Sequence, residues 1–397
     1  MNDHESHSST SSTQTALRRQ IVDAAQQVVI KLGTRVVCGS DGRLSQERVG
    51  QLAQQISQLL DRGLQVVLVS SGAVGAGMSQ LGLRQRPTDL AKLQAVAAIG
   101  QARLIDEYER HLSAQNRHAA QVLLISDDLD DRTRYLNVRN TLLELLELGA
   151  VPIINENDTV AVEELMTTFG DNDRLAARVA NLLRATLLII LSDVDGLFDG
   201  DPTAADSRLI STAPSIDHAI QEFVCDKPGT LSRGGMRSKL EAARECTMAG
   251  KHVILANGHR PQVLTDIMQG AEVGTLFLAE AKAISPLKRW IGFAAKPKGK
   301  LQIDAGACQA LADHGRSLLP IGVKSVHGEF KKGDVVSLVD ENSKEVARGL
   351  TNYSATDVQV IQGHNSDQIG ELLGYSPYEE LIHRDNLVLT SSNLPTS

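Results

Sequence analysis

Between residues 27 and 280, short apolar runs alternate with stretches of helical spacing, and this alternation constrains the fold more than any other feature. The runs are Val28–Ile30, Val66–Val69, Ala119–Ile125, Val151–Ile154, Thr186–Leu191 and His252–Ala256. They read as nearly continuous hydrophobic segments, the texture of strands covered on both faces. Between the first two, Val49, Leu52, Ile56, Leu59 and Leu60 share one helical face, and Gly63 follows as a cap would. Helical patterns over 91–112, 131–147, 171–184 and 240–249 separate the later runs. The expected class is α/β, an open and mostly parallel sheet sandwiched by helices. At Lys296-Pro297-Lys298-Gly299-Lys300 the texture changes. Short stretches such as Val335–Val339 and Val358–Ile361, broken by Gly and Asp, then suggest a small β-rich domain. The expected plan is a disordered extension over 1–25, an α/β domain over 26–285 and a linker over 286–299. A β-rich domain over 300–380 and a tail over 381–397 complete it.

In an open α/β sheet, ligands bind beyond the carboxyl ends of the strands. The run Val151–Ile154 gives way to Asn155, Glu156, Asn157 and Asp158, and Asp171-Asn172-Asp173 follows at a helix start. Such side chains suit an ammonium group, a metal or a lysine, and equally a polar loop with a helix cap. The first strand runs into Lys31 and Gly33, which suits an anion or a surface position. No GxxxxGK[ST] motif occurs, which disfavours a P-loop. Ser70-Ser71-Gly72 with the small residues after it fits either a ligand against a helix N-terminus or close packing. Ser192-Asp193 ends another strand, and Arg233-Gly234-Gly235-Met236-Arg237-Ser238-Lys239 precedes a helix as a phosphate cradle or an ordinary loop. Lysines and backbone N–H groups, without a Ser-His-Asp or Cys-His set, favour transfer of an anionic group over acyl chemistry. Phosphoryl transfer asks a protein mainly to position groups and neutralise charge. Asp173 between Lys31 and Lys239 would keep both lysines charged.

Composition removes other classes. The net charge of −8 gives no global field toward nucleic acid or anionic membrane. Cys38, Cys225, Cys246 and Cys308 are scattered without CxxC, against zinc or a disulfide framework and in keeping with a reducing, cytoplasmic setting. No apolar run approaches the roughly 18 residues of a membrane span, and the N-terminus lacks a signal-peptide h-region. His4 and His7 are expected to be solvated, and Trp290 and Phe293 to form a packing seam.

The motifs KLGT (31–34), SSGAVGAG (70–77), DRTRYLNVRNTL (131–142), VPIINENDTV (151–160), GDND (170–173), SDVDGLF (192–198) and RGGMRSK (233–239) occur in uninterrupted order. Together they resemble the bacterial glutamate 5-kinase family of the amino acid kinase superfamily, over roughly residues 26 to 380. GRSLLPIGVKSVHGEFKKGD (315–334) and LLGY (372–375) resemble a PUA domain. The resemblance implies ATP-dependent phosphorylation of the γ-carboxyl of L-glutamate to L-glutamyl 5-phosphate, the first step of proline synthesis. It implies that Lys31 and Lys239 stabilise the transferring phosphoryl group and that Asp173 organises them. Ser71, Gly72, Asp158, Asp171 and Asn172 would hold glutamate. Ser192, Asp193 and residues Arg233, Gly234, Gly235, Met236, Arg237 and Ser238, with both lysines, would contact the nucleotide. Mg²⁺ would bridge the β- and γ-phosphates with few protein ligands. Feedback inhibition by proline, a homo-oligomer (dimer or tetramer) and coupling to glutamyl phosphate reductase are also implied.

Three departures stand out. Arg35 and Arg233 replace the family's common Ser and Thr, and the loop over 159–169 is slightly longer. Within the superfamily, N-acetylglutamate kinase, aspartokinase and uridylate kinase share the lysines and glycines, but the INEND and GDND runs favour free glutamate. PUA domains elsewhere bind RNA. Residues 300–380 carry seven Lys or Arg against twelve Asp or Glu, a net −5. A phosphate-backbone footprint wants the opposite sign, so a regulatory or assembly role is favoured. A basic patch at Lys324, Lys331 and Lys332 keeps RNA open. Retention of Lys31, Asp173 and Lys239 speaks against a catalytically dead regulator.

Overall fold

The computed structural model describes residues 4–161, 171–183, 185–204, 206–216, 235–280, 285–376 and 378–390. The chain divides into two compact units, Met1–Asp128 with Thr133–Ala283, and Leu129–Arg132 with Ile284–Ser397.

Among the described residues of the first unit, eight strands form one sheet. They are β1 Gln27–Leu32, β2 Gln65–Ser70, β3 His118–Leu124, β4 Ala150–Glu156, β5 Leu187–Ser192, β6 Thr212–Ala213, β7 His252–Asn257 and β8 Thr275–Phe277. Their order is β3-β4-β2-β1-β5-β7-β8-β6. All pairings are parallel except β7 with β8. β1 and β5 are buried along their whole length, as their apolar sequences require. Each fully buried Val, Leu or Ile contributes about 1.5–3 kcal/mol. The chain leaves β1 toward β2 on one side and later returns to place β5 on the other, so a crevice opens beyond the β1 carboxyl end. Register sets Lys31 of β1 opposite Val69 and Ile190.

Helix α1, His4–Asp23, corrects the expectation of a disordered extension over 1–25. Its first turns are polar, but Leu17, Ile21, Val22 and Ala25 recur at helical spacing and join the core cluster. The buried Arg18 guanidinium donates to the carbonyls of Val273 (2.9 Å) and Gly274 (3.0 Å). Helix α2, Gln46–Asp61, begins where Ser45 Oγ accepts from the Arg48 N–H and buries Val49, Leu52, Ile56 and Leu59. It closes before Gly63, whose φ of +83° suits the turn. Helices α3, Ala73–Leu81, and α4, Leu90–Ser113, pack closely. A Cβ on Gly77 would lie 2.0 Å from the Val96 carbonyl oxygen, and one on Gly100 would lie 1.8 Å from that of Ala73. The small residues after Gly72 therefore serve this close packing. Helices α5, Asp171–Leu182, and α6, Gly235–Met248, complete the site side of the unit. Cys38, Cys246 and Cys308 are free thiols and buried; Cys225 lies outside the described residues.

In the second unit β9 Gly299–Ile303, β10 Val323–Gly328, β11 Val335–Val339, β12 Glu345–Leu350 and β13 Leu387–Leu389 pair in the order β10-β9-β11-β12-β13. β9 and β11 run parallel and the other pairs antiparallel. Three expectations need correction. The stretch 286–299 is structured, with a π-helical turn over Trp290–Ala294 that buries Trp290 and Ile291. The 381–397 tail contributes Leu381, Ile382 and Leu387 to the unit's core. The apolar run Val358–Ile361 is the end of helix α7, Ala355–Ile361. A reciprocal cap between Ser354 and Asp357 starts that helix, and Val358 and Ile361, three apart, share its buried face.

Candidate active site

Two backbone ties fix the mouth of the crevice beyond β1. The Gly33 N–H donates to the Leu191 carbonyl (3.1 Å), and the Ser71 N–H donates to that of Leu32 (3.1 Å). They hold the ends of β1, β2 and β5 together, so their first polar residues converge. Asp173 enters from the first turn of α5 and is 1 % exposed. Its Oδ1 lies 2.6 Å from Lys31 Nζ, and its Oδ2 lies 3.2 Å from Lys239 Nζ. Ser238 Oγ also donates to Oδ2 (2.9 Å), and Lys239 Nζ donates to the Gly235 carbonyl (2.8 Å). The three residues expected at the catalytic centre therefore form one cluster, with Lys31 and Asp173 buried and Lys239 part-buried. Burial is the largest influence on the Asp173 carboxyl and pushes its pKa up, but the Lys31 and Lys239 charges and the hydrogen bonds hold it below the ordinary range. Burial lowers the pKa of Lys239, and the like charge of Lys31 adds to this, while Asp173 opposes them. An arriving anion would favour the Lys239 ammonium.

On one side of this cluster lies a chain of buried side chains. Asn172 Nδ2 donates to Ser71 Oγ (2.9 Å) and to Asn155 Oδ1 (3.3 Å). Asn155 Nδ2 donates to Gln101 Oε1 (3.3 Å), and Gln101 Nε2 donates to Asp158 Oδ2 (3.2 Å). Ser71, Asn172 and Asp158, expected to hold the acceptor, are thus joined through Asn155 and Gln101. Asn172 Oδ1 is buried and has no hydrogen-bond partner among the described residues, so it is poised to accept from a ligand. Burial raises the Asp158 pKa to about 6, reinforced by Glu156 and opposed by the Gln101 hydrogen bond and the Arg86 charge. Gly72 caps α3 with φ +114°, a conformation that an L side chain resists. Asp171 opens α5, and its side chain lies outside the described residues.

The other side is more open. Ser192 Oγ donates to Asp193 Oδ1 (3.1 Å), and Arg35 pairs with Asp193 Oδ2 at 2.6 Å. Burial would raise the Asp193 pKa, but the Arg35 hydrogen bond and charge, with hydrogen bonds from its own backbone and from Ser192, hold it below the usual range. The departure at Arg35 therefore occupies a carboxylate expected to meet the nucleotide. Asp193 also acts on Lys239, raising its pKa. The helix expected from Leu240 begins at Gly235, so Met236, Arg237, Ser238 and Lys239 lie in its opening turns. Arg237 pairs with Glu241 (3.0 Å) at the surface. Arg233 and Gly234 lie outside the described residues, as does most of the 159–169 loop.

Gln101 carries no distinctive motif and was not among the expected site residues. Asn155 was visible as a polar strand end, but its contact with Gln101 requires the folded α4.

Two family models match the chain, the amino acid kinase family over residues 26–257 and the PUA domain over residues 299–373. A glutamate 5-kinase of Rhodopirellula baltica is 50% identical over 374 residues, covering 94% of this chain and 96% of that one. A glutamate 5-kinase of Thioalkalivibrio sulfidiphilus is 47% identical over 372 residues, covering 94% and 99%.

Proposed function

This chain belongs to the amino acid kinase family, and from that premise we propose that it transfers the γ-phosphoryl group of ATP to the γ-carboxylate of L-glutamate. The observation that carries the reading is Asp173 held between Lys31 and Lys239, beside the buried Ser71–Asn172–Asn155 group. Relatives of nearly the same length and 47–50% identity bear the name of that activity.

A carboxylate acceptor is already ionised at neutral pH, so the protein need supply no general base. One acceptor oxygen attacks the γ-phosphorus, the bond to the β-phosphate's bridging oxygen breaks, and ADP leaves with that electron pair. Lys31 and Lys239 neutralise charge on the transferring group, and Asp173 holds both ammonium groups in place. Asn172 Oδ1 and the Asp158 carboxylate accept hydrogen bonds from the substrate ammonium, while Ser71 and the Gly72 turn approach its other end. Ser192, Asp193 and the Gly235–Lys239 turn face the nucleotide. Asp173 is committed to two lysines, and among the described residues no three His, Cys, Asp or Glu side chains form a metal cage. Mg²⁺ fits as an ion carried by the nucleotide, where it would draw charge from the phosphates.

L-Glutamyl 5-phosphate is a reactive acyl phosphate, which favours prompt consumption by a glutamyl phosphate reductase in proline synthesis. Proline as a feedback inhibitor at the glutamate pocket, a homo-oligomer and a cytoplasmic location belong to the same reading. The second unit acts in regulation or assembly; its net −5 over 300–380 disfavours broad RNA contact.

An ATP- and Mg²⁺-dependent assay that traps product with hydroxylamine tests the substrate. Hydroxamate is expected from L-glutamate and not from N-acetylglutamate or aspartate. Turnover of either alternative in place of L-glutamate would overturn the assignment.

A further inference from the structure

The buried side-chain chain of the acceptor pocket has a direction. Gln101, on α4, is 7 % exposed. Its Nε2 faces two acceptors, Asp158 Oδ2 (3.2 Å) and the Glu156 carbonyl (3.2 Å), while its Oε1 receives Asn155 Nδ2 (3.3 Å). Turning the amide over would set its oxygen against a carboxylate and a carbonyl, so these partners select one orientation. Asn155 is fixed likewise, because its Oδ1 accepts from the Glu156 N–H (2.9 Å) and from Asn172 Nδ2. Donors therefore run one way, from Asn172 through Asn155 and Gln101 to Asp158. Both ends present acceptors: Asn172 Oδ1, without a hydrogen-bond partner among the described residues, at one and the Asp158 carboxylate at the other.

Resting on the assignment of this pocket to glutamate, we propose that Gln101 is a positioning residue that fixes this polarity and so selects a free ammonium group over an acylated amine. With Oδ2 tied to Gln101, Asp158 turns its remaining acceptor capacity to the ligand. An ammonium brings three N–H donors and a charge, whereas an acylated amine brings one neutral N–H. Leaving a buried acceptor unsatisfied costs binding, which is how a polar site rejects a ligand lacking the expected donor. Gln101 touches neither reacting atom; it acts through Asp158 and Asn155.

Two variants test this. Gln101→Met keeps the approximate volume without hydrogen bonds, and Gln101→Glu keeps the shape while replacing the amide donor with a carboxyl group. Steady-state hydroxamate formation gives kcat, the KM for L-glutamate and the KM for ATP across pH. The KM for L-glutamate is expected to rise about tenfold or more in each variant, with the KM for ATP within about twofold. Removing the Gln101 hydrogen bond also lifts the acid limb of kcat/KM for L-glutamate in Gln101→Met to higher pH. Glu156 and Arg86, the other charges acting on Asp158, are unchanged. Thermal shifts with L-glutamate, glutarate and N-acetylglutamate give a second readout. The wild-type protein should be stabilised by L-glutamate well beyond the other two, and the variants should lose that preference. Equal rises in both KM values, or an unmoved acid limb with ligand preference retained, would overturn the role of Gln101. A wild-type protein that forms no hydroxamate from L-glutamate would instead overturn the assigned activity.

Discussion

The two sides of the site are built differently. On the acceptor side, Ser71, Gln101, Asn155, Asp158 and Asn172 are each no more than 8 % exposed, and every link is a directional hydrogen bond. On the nucleotide side, the Arg35–Asp193 pair has side chains 48 % and 32 % exposed, and the Arg237–Glu241 pair lies at the surface. Buried polar groups are costly when mismatched, so they discriminate; solvated charges are screened and tolerate change. On the proposed assignment, discrimination is therefore concentrated in the pocket given to the amino acid. Asp173, between the two, is paired with both Lys31 and Lys239.

Substitutions on the two sides should therefore differ in effect. Asp173→Asn removes the carboxylate shared by the buried Lys31 and the part-buried Lys239, and breaking a buried ion pair costs about 3–5 kcal/mol. A kcat reduced about 1,000-fold or more is expected in the hydroxylamine assay, with a lower melting temperature. Asn172→Leu should act on the acceptor side alone, raising the KM for L-glutamate about 10- to 100-fold and sparing the KM for ATP. A parallel rise in both would erase the distinction between the sides.

A smaller, graded effect follows from Asp158. Its carboxyl titrates at about 6 in the unliganded protein, so it loses charge as the pH falls through that value. Because the raised value disfavours ionisation in the folded chain, Asp158 favours the folded state below its ordinary carboxyl range, and this contribution is lost as the pH rises through about 6. Ammonium binding restores a partner to the ionised form. The kcat/KM for L-glutamate should fall up to about tenfold per pH unit well below 6, whereas ligands without an ammonium group should not show this limb. Arg35→Ser should have the smallest effect. An exposed ion pair contributes about 1 kcal/mol or less, so the KM for ATP should change within about fivefold and less at high salt. A larger effect at Arg35 would show that the nucleotide side is not forgiving.

Much of this arrangement was legible in the sequence because strand ends announce themselves. Lys31, Ser71, Asp158 and Ser192 each follow an apolar run, and sheet geometry brings such ends together. Asn172 and Asp173 were readable because they open a helix just beyond the polar end of β4. The packing role of Gly77 and Gly100 was hidden, since small residues suit both a ligand and a close helix contact. Gln101 was hidden more fully: one glutamine in a long helix acquires meaning only when α4 lies against β4. The Ser-, Thr- and His-rich start suggested disorder by composition, although the spacing of Leu17, Ile21, Val22 and Ala25 carried the contrary signal. Val358–Ile361 resembled a strand until Ser354 and Asp357 were seen to cap a helix. Local apolar runs specify burial more reliably than backbone state.

In the proposed reaction, phosphoryl transfer depends on two lysines held by one shared carboxylate. Lys239→Ala tests it most directly, with kcat and the KM for L-glutamate measured together in the ATP-dependent hydroxylamine assay. A kcat lowered about 1,000-fold, with the KM for L-glutamate within about threefold of the wild-type value, is expected. A near-normal kcat would contradict the claim, because the transferring group would then be stabilised without the lysine that Asp173 holds.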